Sequence, residues 1–127
     1  MNFEDIIAER IRKTKSLSEL ALILECLFEY HSIQADGQIF SIRALVGYTN
    51  GLKIEIHPNE HPPAHFHVRG GDVDASFAIE DCQLLKGVIS SREQDLVLFW
   101  YKYSRQKLIQ VWNETRPSNC QVGPINI

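Results

Sequence analysis

HFHVRGGDVDASFAI, residues 65–79, constrains the fold of this chain more than any other stretch. Apolar and polar residues alternate on both sides of two glycines, the period of two shown by half-buried β-strands. The glycines tolerate the positive φ angles of a tight hairpin turn. With Gly70-Gly71 as a two-residue loop, Arg69 faces Asp72, Val68 faces Val73, His67 faces Asp74, Phe66 faces Ala75 and His65 faces Ser76. The apolar pairs then share one face and the polar pairs the other. A three-residue loop sets Arg69 against Val73 and mixes the faces, so the two-residue register is expected.

The rest of the chain supplies what such a hairpin packs against. Phe3, Ile6, Ile7 and Ile11 fall at helical spacing within 2–13. Ser16 with Glu19 forms a capping-box signature. It opens a helix from 17 to about 31, apolar nearly all round through Leu17, Leu20, Leu22, Ile23, Leu24, Leu27 and Phe28. A helix without a wide polar face is buried, against its own sheet or a second copy of the chain. A homo-oligomer contact through 17–31 is therefore one expectation. His31, at the end of this helix, is expected to cap its last carbonyls.

Asp36-Gly37-Gln38 reads as a turn, and 39–48 is β-like. Asn50-Gly51 is a hairpin signal. Leu52, Ile54 and Ile56 then alternate with Lys53, Glu55 and His57 as a half-buried strand. LLKGVI, 84–89, reads as a turn or short strand. Ser90 with Glu93 is a second capping box, opening a helix to about Thr115. Its buried stripe runs through Val97, Tyr101, Leu108, Val111 and Trp112, widened by Leu96 and Trp100. Trp100, Tyr101, Tyr103 and Trp112 read as core aromatics, and Lys102, Arg105 and Lys107 as a solvated helix face. Arg116-Pro117 ends the helix.

The expected fold is α+β: a small, mainly antiparallel sheet packed by a long C-terminal helix, with an N-terminal helical extension. The division is 1–38 for that extension, 39–117 for the α+β core and 118–127 for a tail. At 127 residues the chain can bury one core without disulfides. A net charge of −3 is no footprint for phosphate tracking, so a nucleic-acid partner is not favoured. Cys26, Cys82 and Cys120 are odd in number and far apart, which reads as reduced thiols. The first residues lack the apolar run of a secretory signal. The apolar segment LALILECLFEY is too short to span a bilayer and contains Glu25 and Glu29. A cytoplasmic protein with no membrane contact is expected.

HPNEHPPAHFHV, 57–68, carries four of the five histidines and three of the five prolines. In the register above, His65, His67 and Arg69 share a face with Asp72, Asp74 and Ser76. Three chemistries fit. A divalent transition metal such as zinc suits His65 and His67 at i and i+2, with His61 swinging in from the loop and Asp74 or His57 completing the set. A metal-free catalytic site uses His65 or His67 as acid and base, Asp74 as the carboxylate orienting the ring, and Arg69 or Lys53 holding an anion. The third is structural: the prolines shape a loop and the imidazoles bond its backbone carbonyls. Histidine-triad hydrolases place three alternating histidines on a strand, and Arg69 at the third position breaks that match.

From about Phe40 to Trp112 the chain resembles a bacterial family, domain of unknown function 4160. The resemblance rests on ordered features: IEIHPNEH, then PPAHFHV, then GGDVDASFAI, then LLKGVI, and a helix ending in Leu108-x-x-x-Trp112. The family's usual Pro-His-x-His is here Pro-Ala-His-Phe-His, with Ala64 inserted, which loosens the part of His61 relative to His65 and His67. The resemblance implies a small prokaryotic protein encoded beside another small protein, in arrangements similar to toxin–antitoxin pairs. It brings no established reaction. Two functions follow as expectations: an accessory or toxin–antitoxin-like module acting through a small protein partner, whose His-rich strand face takes a metal or anionic ligand, or a small metal-dependent or His-based hydrolase acting on phosphodiesters.

Overall fold

A computed structural model describes residues 2–33, 39–41, 51–57 and 63–115. In chain order they form α1 (Phe3–Arg12), α2 (Leu17–Tyr30), β1 (His31–Ile33), β2 (Ile39–Ser41), β3 (Lys53–Glu55), β4 (His65–Gly70), β5 (Val73–Ala78), β6 (Leu84–Val88) and α3 (Ser91–Glu114). The architecture is α+β. Strands β3-β4-β5-β6 make one antiparallel sheet in that order, and β1-β2 a separate two-stranded ribbon.

Local chemistry sets the helix ends. Asn2 caps α1 by accepting from the Asp5 N–H at 2.8 Å. Acidic Glu4 and Asp5 begin that helix and basic Arg10 and Arg12 end it, matching the helix dipole. The expected box at Ser90 is complete: Ser90 Oγ accepts from the Glu93 N–H at 3.1 Å, and Glu93 Oε1 accepts from the Ser90 N–H at 3.3 Å. The box at Ser16 is modified. Ser16 Oγ accepts from the Glu19 N–H at 3.2 Å, but the Glu19 carboxylate bonds the N–H of Lys15 instead of that of Ser16.

One apolar cluster joins α1, α2, the sheet and α3, with Ile11, Leu24, Leu27, Phe66, Val68, Trp100, Leu108 and Trp112 fully buried. Phe66 lies between Phe77, 5.5 Å away across the sheet, and Trp100, 5.9 Å away on α3. Polar bonds fix how the helices sit. Trp100 Nε1 donates to Leu20 O at 3.0 Å, Arg92 donates to Phe28 O at 2.7 Å, and the Leu52 N–H donates to Glu25 at 2.9 Å. The basic residues of α3 do more than face water: Lys107 donates to Thr14 O at 2.7 Å, and Arg105 to Glu80 O and to the Tyr101 hydroxyl.

Several expectations change. Helix α2 is not buried all round, since Leu22 is 63% exposed and Cys26 is exposed too. β1 follows α2 without a break, so His31 heads a strand; its side chain lies outside the described residues, as do the 36–38 turn, 42–50 with Asn50, and the tail beyond 115. LLKGV is a full strand. Among the described residues, no helix is long and apolar enough to cross a membrane.

Candidate functional site: the open face of the four-stranded sheet

The hairpin register differs from expectation by two. His67 is opposite Ser76, Arg69 is opposite Asp74, and His65 is opposite Ala78. The loop is Gly71-Asp72, with Gly71 at φ 57° in the first position, where tight hairpins need a positive φ. Gly70 is in the strand, paired with Val73, and leaves room for the residue just before β3: a Cβ there would lie 2.8 Å from Leu52 Cα. A shift of two preserves the faces. Phe66, Val68, Val73, Ala75 and Phe77 therefore face the helices, while His65, His67, Arg69, Asp74 and Ser76 share the opposite face. Asp74 consequently loses its expected place across from His67, and Asp72 lies in the turn.

The register lays out two cross-strand rows. Glu55, His67, Ser76 and Lys86 stand abreast on β3, β4, β5 and β6; Lys53, Arg69, Asp74 and Val88 form the next row. Ser76 Oγ lies 3.1 Å from His67 Nδ1. Arg69 stands opposite another cation, Lys53, and leans instead on two carboxylates, Glu55 at 3.0 Å and Asp74 at 3.3 Å. Its guanidinium is therefore already engaged by two carboxylates. Among the described residues, the ion pairs on this face join Arg69 to Glu55 and Asp74, His57 Nε2 lies 3.5 Å from Glu55 Oε1, and none of these contacts uses Lys86.

The histidines have different roles. His65 is 3% exposed, its ring 6.5 Å from that of Trp112, and its Nδ1 lies 2.7 Å from Pro63 O. A carbonyl only accepts, so that nitrogen carries a proton and holds the end of the proline loop. His67, half-buried, sits edge-on to both His65 and His57, with ring centroids 4.9 Å apart in each case. His61 lies outside the described residues. Among the described residues, no group of three His, Cys, Asp or Glu is arranged to hold a metal ion; the expected His61, His65 and His67 set includes His61 and so lies partly outside them.

β6 completes the site. One extra residue bulges between its pairing to Ser76 and to Phe77, so the strict alternation breaks. Leu85 and Lys86 then both line the same cleft as Val88. The cleft holds about 670 Å³ between these residues, Pro63 and the His67, Arg69, Ser76 rows. Leu85 is 40% and Val88 70% exposed. The contribution of Glu55 follows from the β3 alternation; Lys86, Leu85 and Val88 were hidden by the bulge.

Residues 51–113 match the model of a family described as Domain of unknown function (DUF4160). This span contains the entire open face, from β3 into the last turn of α3. No curated protein and no solved structure matches the chain.

Proposed function

The chain belongs to the DUF4160 family over residues 51–113, and we propose that it is a protein-binding module that receives a partner on the open face of its sheet. The observation that carries this reading is the mixed character of the cleft. Exposed Leu85 and Val88 flank Lys86, beside charges that already neutralise one another through Arg69, Glu55 and Asp74. A phosphate-tracking surface leaves its cations uncompensated. Apolar side chains within a polar, charge-paired rim are the pattern of a protein interface. An accessory role beside a small co-encoded protein, in an arrangement like a toxin–antitoxin pair, is the biological form of this reading. Its test is titration with the purified product of the adjacent reading frame. Micromolar or tighter binding, weakened at least tenfold by Val88→Glu, supports it; absence of binding, or binding indifferent to that change, removes it.

The Ser76–His67 contact favours a second reading, in which the imidazole acts as general base on a water attacking a phosphodiester in the cleft. The engaged state of Arg69 weakens it, since no compensating cation other than Lys86 lies on that row. Hydrolysis of bis(p-nitrophenyl) phosphate above the buffer rate, lost in His67→Ala, supports this reading. A rate equal to buffer eliminates it.

A further inference from the structure

We infer that the partner docks as an additional strand on β6, presenting a carboxylate to Lys86 between apolar side chains that meet Leu85 and Val88; this rests on the protein-binding reading above. β6 is the last strand of the sheet and, among the described residues, pairs only with β5. From Leu85 to Val88 its residues are exposed. The outer edge of such a strand carries backbone N–H and C=O groups directed away from its neighbour, which an extended peptide can satisfy. The opposite edge of the sheet differs: β3 has three residues, and the N–H of Leu52 just before it is already taken by Glu25 of α2.

The side chains of β6 specify the occupant. The bulge sets Leu85 and Lys86 on the cleft side together with Val88, giving an apolar, cationic, apolar series along one edge. Lys86 stands beside Ser76, and the nearest carboxylate in the neighbouring row, Asp74, is held by Arg69. An added strand with an acidic residue opposite Lys86 makes a favourable cross-strand pair. A second copy of β6, antiparallel and centred on the strand, would set Lys86 against Lys86, a destabilising pair. The lysine thus opposes self-association and selects a different, acidic strand. Nucleic acid has no backbone groups that complete a β-ladder, so the ligand class is an extended acidic-apolar polypeptide.

The test uses the full chain labelled with ¹⁵N and three synthetic octapeptides. The first alternates Val and Thr around one central Glu; the second has Lys at that position; the third is the first with its backbone nitrogens methylated at alternate residues. The expected result is saturable shifts and slowed exchange at the amides of 84–88 with the Glu peptide, affinity at least tenfold lower with the Lys peptide, and none with the methylated one. Lys86→Glu is expected to invert the charge preference. Shifts confined to His67, Arg69 and Ser76 overturn strand addition while leaving cleft binding standing. Equal affinity for the Glu and Lys peptides overturns the role of Lys86. If the adjacent gene product binds and Lys86→Glu leaves its affinity unchanged, the inference fails although the protein-binding reading survives; if that product does not bind either, both fail.

Discussion

His67 and Ser76 stand directly opposite each other on β4 and β5, with the serine hydroxyl 3.1 Å from the imidazole Nδ1. The pair lies at the centre of the open face, between Glu55 on one side and Lys86 on the other. Its hydrogen bond orients a ring that also packs edge-on against His57 and His65. Ser76→Ala removes that bond from a half-buried site and is expected to cost about 1 kcal/mol. Urea denaturation measures the loss as a lower midpoint at unchanged slope. Nitrogen chemical shifts of the His67 ring are expected to move toward a mixture of tautomers in the same variant. An unmoved midpoint together with unmoved ring shifts shows that the contact does not orient the ring.

What the residues alone reveal about this site depends on how local each determinant is. The Ser90–Glu93 box is set by four consecutive residues, and it appears as read. The two faces of the hairpin follow from the alternation of Phe66, Val68, Ala75 and Phe77, and they too are found. The register is a different matter: the close neighbour of Gly70 is Leu52, just before β3 and eighteen residues away, where a side chain on residue 70 would clash. His65 and His67 look equivalent at i and i+2, yet Trp112, far along the chain, accompanies the burial of the first and not the second. The bulge breaks the alternation in LLKGV, so its cleft-facing residues carry no periodic signature. The loop histidine, His61, falls outside the described residues, so the three-histidine set it would complete cannot be read from the geometry of His65 and His67.

Gly87 is the point at which β6 can be detached. Its φ of 118° is a conformation that L side chains rarely adopt, and a Cβ there would meet Asp74 O at 2.1 Å and Ala75 Cα at 2.5 Å. Both obstacles are backbone and cannot rotate away. Gly87→Ala is therefore expected to cost roughly 2–5 kcal/mol, combining backbone strain with overpacking. Hydrogen exchange should localise the damage, with faster exchange along β5 and β6 while α3 keeps its protection. Loss of protection spread evenly over the molecule, or a stability within about 0.5 kcal/mol of the parent, the usual range for benign surface changes, contradicts the assignment.

Cys82 gives a prediction about alkali. Burial, with a further contribution from Asp81, pushes its thiol up to about 12. The folded state thus keeps the proton that an unfolded chain releases near its ordinary value of 9.0. Between these values the native state binds more protons, so stability is present in full below about 9 and declines as pH rises toward 12. The hydroxyl of Tyr101, raised by burial and only partly offset by Arg105, adds to the same alkaline trend. Site-resolved alkylation with iodoacetamide at pH 8 offers the direct test. Cys82 is expected to react at least a hundredfold more slowly than exposed Cys26 in the native protein, and at a similar rate in urea. Comparable native rates would falsify the buried, neutral thiol.

Trp100 links the two ends of the fold. Its indole is fully buried between the sheet and the helices, and Nε1 donates to Leu20 O in α2 at 3.0 Å. Trp100→Phe removes the donor and part of the ring volume. A loss of about 2–4 kcal/mol is expected from the cavity and the forfeited bond together. Calorimetry or urea titration reads this, and a change below about 1 kcal/mol implies that α2 repacks around the smaller ring.

Arg69 separates the two readings of the open face. Its contacts with Glu55 and Asp74 are solvent-exposed, so they are expected to contribute only modestly, about 0.2–1 kcal/mol for each pair. Arg69→Ala should therefore leave the fold intact, with a small destabilisation that shrinks further at high salt as screening weakens the pairs in the parent. If Arg69 serves as an anion clamp, inorganic phosphate should raise the melting temperature of the parent and not of the variant. We expect no such difference, because binding phosphate requires the guanidinium to release two carboxylates that stand within 3.3 Å and carry charge of the same sign as the ligand. The informative comparison is the double variant Glu55→Gln, Asp74→Asn. With both carboxylates neutralised, Arg69 becomes available, and phosphate is expected to stabilise this variant where it does not stabilise the parent. Phosphate stabilisation already present in the parent, and abolished by Arg69→Ala, reverses the assignment and favours the phosphodiesterase reading over the protein-binding one.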